Sequence, residues 1–221
     1  MDLAQRLESV RAEVAETARD ASRDPAEITT IVVTKFHPAS LVRELVGLGV
    51  RDVGENRHQE ALAKSAELAD LDLRWHFIGQ LQSNKARQVR EYAAAVHSVD
   101  RAALVTALSG EPVLDVFLQV NLTDDPDRGG ARPEHLEPLA ERVLATSGLR
   151  LRGLMAVAPL DAEPRAAFAR VRGYSERLLT VAAEASALSM GMSGDFREAI
   201  LEGATHLRIG SAITGNRPAG G

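Results

Sequence analysis

The chain has 221 residues, 45% of them apolar, with no cysteine and a net charge of −5 from 26 basic and 31 acidic side chains. That length supports one substantial core. The missing cysteines exclude disulfides, thiolate metal ligands and cysteine nucleophiles, and arginines scattered among carboxylates argue against a nucleic-acid surface, which needs clustered positive charge.

Residues 2–20 are charged, with Leu3, Leu7, Val10 and Val14 at helical spacing, so the chain is expected to open on an amphipathic helix rather than a signal peptide. Short apolar runs then alternate with longer amphipathic ones. The apolar runs lie near Ile28–Thr34, Asp52–Gly54, Arg74–Gly79, Ala94–Val99, Val113–Asn121, Leu151–Val157, Leu188–Gly191 and His206–Gly210. The helical stretches between them are Ser40–Leu48, Asn56–Leu68, Asn84–Tyr92, Arg101–Leu108, Pro133–Thr146, Glu163–Ala185 and Asp195–Glu202. Strands that alternate with helices imply a parallel sheet, and eight such units predict a closed (β/α)8 TIM barrel with an extra N-terminal helix. The second strand is short, which keeps an open doubly wound sheet as the alternative. The expected organisation is one domain over residues 1–215 and a flexible tail over 216–221, with a second mobile piece at Thr123–Arg132. No run reaches transmembrane length, so a monomeric, cytoplasmic protein without a membrane or nucleic-acid partner is expected.

Only three of the basic residues are lysines, Lys35, Lys64 and Lys85, against 23 arginines. Where arginine meets the general need for positive charge, a lysine invites attention for its amine, which can lose its proton and attack a carbonyl. Lys35 closes the first apolar run before Phe36-His37-Pro38, while Lys64 lies in a polar helical stretch and reads as a solvated charge, and Lys85 follows Ser83-Asn84 at a helix start. In a barrel the working face is built from strand C-termini and the loops after them. At those ends stand Lys35, Gly54-Glu55-Asn56-Arg57, Gly79-Gln80, Asn121, Met155, Met192-Ser193-Gly194 and Arg208-Ile209-Gly210-Ser211.

The last two loops each precede a helical turn. Ser193, Gly210 and Ser211 can together present backbone N–H groups and hydroxyls to a phosphate dianion, although either serine alone reads better as a plain helix cap. A lysine facing a phosphate cradle suits a ligand carrying both phosphate and an aldehyde or ketone, and pyridoxal 5′-phosphate fits. Arg208, if it points inward, could bond the pyridine nitrogen and keep that ring a weak electron sink; pointing outward, it would be an ion-pair partner at the mouth. His76 beside Trp75 reads as a packed core histidine or a support for the ring.

These segments together resemble the pyridoxal phosphate homeostasis protein family, single-domain relatives of the alanine racemase barrel. The resemblance is carried by Val32-Val33-Thr34-Lys35, GENRHQE at 54–60, WHFIGQLQSNK at 75–85, HSVDR at 97–101, LQVN at 118–121, RGLMAVAP at 152–159 and LSMGMSGDFREAILEGATHLRIGSAITG at 188–215. It implies a fold type III barrel, a cofactor held by a Schiff base to Lys35, its phosphate at Ser193, Gly210 and Ser211, its ring nitrogen near Arg208, and Asn56, His76 and Met155 lining the pocket. Three positions depart from the family's habit. His37 stands where many members have a second lysine, Asp127-Arg128-Gly129 where a lysine usually precedes the glycine, and Thr214 where phenylalanine is common.

Related racemases supply an opposite-face tyrosine from an additional domain, whereas Tyr92 and Tyr174 here fall in predicted outer helices. The expectation is therefore a cofactor carrier in vitamin B6 homeostasis with no catalytic residues, handing pyridoxal phosphate to apo-enzymes. The alternatives are a pyridoxal-phosphate-dependent amino acid racemase and, third, a Schiff-base aldolase.

Overall fold

A computed structural model of the chain describes every residue except 126, 127 and 217–221. The proposed tail therefore lies almost wholly outside the described residues, as does Asp127. The first helix, α1 (Leu3–Asp20), starts from a reciprocal cap in which Asp2 accepts from the Gln5 N–H and the Gln5 side chain from the Asp2 N–H. Its Leu3, Leu7, Val10, Val14 and Ala18 are buried.

Eight units follow. They are β1 (Thr29–Val33) and α2 (Ala39–Gly47), β2 (Asp52–Glu55) and α3 (His58–Glu67), β3 (Arg74–Phe77) and α4 (Ala86–Arg90), β4 (Ala93–Val99) and α5 (Ala102–Ala107). The second half comprises β5 (Leu114–Gln119) and α6 (Leu136–Leu144), β6 (Leu149–Met155) and α7 (Pro164–Leu178), β7 (Ala187–Ser189) and α8 (Phe196–Leu201), β8 (His206–Ile209) and α9 (Ser211–Thr214). Each strand pairs in parallel with the next, and β8 pairs with β1 through Ile31 opposite Arg208 and Val32 opposite Ile209. The sheet is closed, which removes the open-sheet alternative. The helix expected to run to Ala185 stops at Leu178, and turns and irregular chain cover residues 179–186.

Strand alternation divides the interior in two. Val32, Val53, Trp75, Phe77, Val96, Val116, Leu154, Leu207 and Ile209 belong to the large apolar layer shared with the helices. The intervening positions point into the barrel, where Phe117, Met155 and Ala187 form a second, small apolar cluster. All strand C-termini lie at one end of the barrel. The extra helix α1 packs against α8 and α9, where Arg6 Nε donates to the Ile213 carbonyl at 2.7 Å and Arg197 pairs with Glu13.

Candidate functional site

Lys35 sits one residue beyond Thr34 at the C-terminal end of β1, and its side chain is exposed. Both peptide groups flanking it are held by the second unit. The Thr34 carbonyl accepts from Lys64 Nζ at 2.8 Å, the Thr34 N–H donates to the Gly54 carbonyl, and the Phe36 N–H donates to Glu60 Oε2 at 3.1 Å. Phe36 adopts a φ of 67°, an uncommon backbone state for a bulky residue, and Arg57 covers its ring at 4.9 Å. The 54–60 motif thus builds the turn that presents Lys35.

Lys64 departs from its expectation as a solvated charge. It is buried, and its amine bonds Glu55 Oε1 at 2.6 Å, an oxygen that also accepts from the Thr34 hydroxyl at 2.7 Å. Helical periodicity placed Lys64 on α3, but nothing in that stretch revealed that its face covers the β1 and β2 ends. Burial pushes the Glu55 carboxyl upward, with the Lys64 and Thr34 bonds opposing. His37 is buried as well. Burial first, then repulsion from Lys64 and Arg6, holds it below the usual histidine range, so this site does not offer the exposed cation of a second lysine.

Arg208 points inward, which settles the choice its alternation left open. One guanidinium nitrogen donates to Ser189 Oγ and the other to the Ala156 carbonyl, each at 2.8 Å, and the residue is 4% exposed. Burial brings its pKa down to about 10, partly offset by Asp195, so the group remains a cation at neutral pH. Met155 ends β6 in the interior beside Phe117.

The loops after β7 and β8 meet, because the Ala212 N–H donates to Ser193 Oγ at 3.3 Å. Gly210 lies against Val33 of β1, so Ser193, Gly210 and Ser211 converge on the strand that leads into Lys35. Asn56 is brought to the same end, and among the described residues its buried Oδ1 has no donor. Gly79 explains how Asn56 is set: a Cβ there would lie 2.1 Å from the Asn56 carbonyl oxygen. Thr214 is buried and donates its hydroxyl to the Gly210 carbonyl, leaving the loop turn intact without the family's phenylalanine.

His76 is set deeper than the resemblance implies. Its ring bonds Asp52 Oδ1 and His97 Nε2, each at 2.9 Å, and it reaches the cavity at the strand starts instead of the mouth. The reading as a packed histidine fits this position better than a place in the pocket wall. Sequence reasoning missed Ser189, His97 and Asp195. Ser189 ends the three-residue β7 and His97 lies on the longer β4, and the inward position of both shows only once the cross-barrel partners are known. In the Thr123–Arg132 stretch, of which residues 126 and 127 lie outside the described ones, the Asn121 side-chain amide donates to the Asp125 and Arg128 carbonyls and the Ala131 N–H donates to the Gln119 carbonyl.

Residues 6–218 match the model of the alanine racemase N-terminal domain family. A pyridoxal phosphate homeostasis protein of Pseudomonas aeruginosa is 48% identical over 226 residues, covering 99% of this chain and 97% of that one. The chain belongs to the pyridoxal phosphate homeostasis protein family. PipY of Synechococcus elongatus, a relative whose structure was solved with PLP bound, is 39% identical with a TM-score of 0.84 over 96% of this chain and 99% of that one. Alanine racemase of Corynebacterium glutamicum shares the barrel at a TM-score of 0.67 and 14% identity, matched by 97% of this chain and 62% of that one. At that distance the likeness concerns fold alone. Among the described residues of this family member, no helix is long and apolar enough to cross a membrane.

Proposed function

We propose that this chain holds pyridoxal 5′-phosphate as a reversible Schiff base on Lys35 and buffers or delivers it to apo-enzymes in the cytoplasm, with little or no turnover of its own. The bound form of PipY and the family name support the choice of ligand. The residues present fit it: among the described residues Asn56 Oδ1 lacks a donor, the β7 and β8 loops offer serine hydroxyls and close backbone approach, and Arg208 is an inward cation.

Bound pyridoxal phosphate supplies an aldehyde with which a lysine amine condenses reversibly. Lys35 would provide that amine, on a turn fixed by Lys64 and Glu60. Ser193, Gly210 and Ser211 would take the phosphate, Asn56 and Met155 the flanks of the ring, and Arg208 its nitrogen. A cation at that nitrogen disfavours ring protonation and so weakens the electron withdrawal that carbanion chemistry needs.

The observation that carries holding over turnover is the engagement of the candidate second acids and bases. Lys64 is paired with Glu55, His37 is buried, Asp195 Oδ1 accepts from the Met192 N–H, the Tyr92 hydroxyl contacts His58, and Tyr174 lies on α7 under Arg177. The test pairs two assays on purified, cofactor-loaded protein. Reactivation of an apo-enzyme dependent on pyridoxal phosphate should proceed from the loaded protein, while alanine and serine should racemise no faster than with free cofactor. Enzyme-like racemisation that Lys35→Ala abolishes would overturn the reading.

A further inference from the structure

The barrel interior carries a continuous polar chain where such barrels are usually filled by branched apolar side chains. Asp52, at the start of β2, bonds His76 Nε2 at 2.9 Å; His76 Nδ1 meets His97 Nε2 at 2.9 Å; His97 Nδ1 meets Ser189 Oγ at 2.8 Å; and Ser189 Oγ accepts from Arg208 at 2.8 Å. The links cross from β2 and β3 through β4 to β7 and β8, so they pass through the lumen. Ser189 and His97 are fully buried, and the His97 ring is stacked on Phe117 at 4.3 Å between centroids.

The ends fix its direction. Guanidinium can only donate and carboxylate can only accept, so one hydrogen per link is obtained when Ser189 donates to His97 Nδ1 and each histidine carries its hydrogen on Nε2. Every dipole then points the same way, with a cation at the cofactor end and an anion at the other. Such aligned chains strengthen one another in a poorly screened interior. The Asp52 end is not sealed, since Asp52, Arg74, His76 and His206 border a cavity of about 490 Å³ at the strand starts.

We propose that Ser189, His97, His76 and Asp52 are positioning residues for Arg208, holding its guanidinium in the orientation that meets the cofactor's ring nitrogen from a charge anchored at the opposite end of the barrel. The proposal rests on the pyridoxal phosphate reading above. Ser189 restrains one guanidinium nitrogen and the Ala156 carbonyl the other, which leaves the group little freedom to rotate away from the mouth.

The experiment compares holo wild type with holo Ser189→Ala, Asp52→Asn and Asp52→Glu at one pH. It reads the ratio of visible to near-ultraviolet absorbance of bound pyridoxal phosphate and its dissociation constant. Losing one link should weaken binding by about two- to tenfold and change the absorbance ratio. Asp52→Asn should move the ratio in the same direction as Ser189→Ala despite lying at the far end, and Asp52→Glu, with the open cavity for its longer stem, should restore it. Val96→Ala, on the helix-facing side of β4, is the control that lowers thermal stability without touching the chain. Unchanged spectra and affinity in Ser189→Ala and Asp52→Asn, or changes no larger than Val96→Ala produces, would overturn the proposal and leave cofactor binding standing. Wild type that takes up no pyridoxal phosphate would instead remove the functional reading on which it rests.

Discussion

Lys35 and Lys64 carry the same side chain into opposite surroundings, one exposed beyond a strand end and the other buried against a carboxylate. The difference divides their roles: Lys64 holds the Thr34 carbonyl and neutralises Glu55, and Lys35 stays available. Lys64→Met would leave the Glu55 carboxylate buried with the Thr34 hydroxyl as its remaining donor, at a cost of about 3–5 kcal/mol. Denaturant unfolding checks this, and the Lys64→Met/Glu55→Gln double variant should recover most of the loss. The composition singled out Lys35 because its amine ends an apolar run. It did not distinguish Lys64 from a surface charge, since a helical stretch read alone does not show which face a neighbouring strand end will cover.

At the scale of elements, the mouth is built from contacts between loops of successive units. Gly79, after β3, touches the Asn56 backbone after β2, so Gly79→Ala must displace one loop. The expected result is pyridoxal phosphate binding weakened by about tenfold or more, read by titration, with the fold retained. The extra helix α1 is tied to the β8 end through Arg6 and the Ile213 carbonyl. Leu7→Ala, at a residue 2% exposed, should lower stability by about 2–5 kcal/mol in denaturant unfolding. The order and type of these elements were legible from the alternation of apolar runs with amphipathic stretches. Side-chain direction was not, because strands of three or four residues carry too little pattern to fix their phase. That is why the direction of Arg208 remained open, while the place of His76 in the pocket wall was implied by the family resemblance alone. The three-residue β7 hid Ser189 in the same way, whereas His97, on the seven-residue β4, was hidden because its partners are distant in sequence.

For the whole molecule, a polar barrel interior makes stability depend on pH. His206, half-buried at the start of β8, is held at about 4 by burial first and by repulsion from His76 and Arg152, with Asp52 and Asp115 opposing. Burial holds His97 far below the ordinary range too. Both folded-state values are depressed, so the unfolded chain takes up the protons first. The contribution of His206 is complete above pH 6.5 and lost as pH falls from 6.5 towards 4, a change on the order of 3 kcal/mol. Asp52 acts further down: burial would raise it, but the bonds from His76 and Arg74 prevail and hold it below 3.8, so its contribution is lost as pH falls through that lower value. Denaturant midpoints taken between pH 7 and pH 4 should fall, and His206→Asn should flatten that fall. The proposed cofactor holding, by contrast, depends on the amine of Lys35. Wild-type protein incubated with pyridoxal phosphate, reduced with borohydride and digested should yield one labelled peptide, carrying the pyridoxyl group on Lys35, and Lys35→Ala should yield none. Label on Lys64 or Lys85, or no label with colourless protein, would rule out a Schiff base on Lys35.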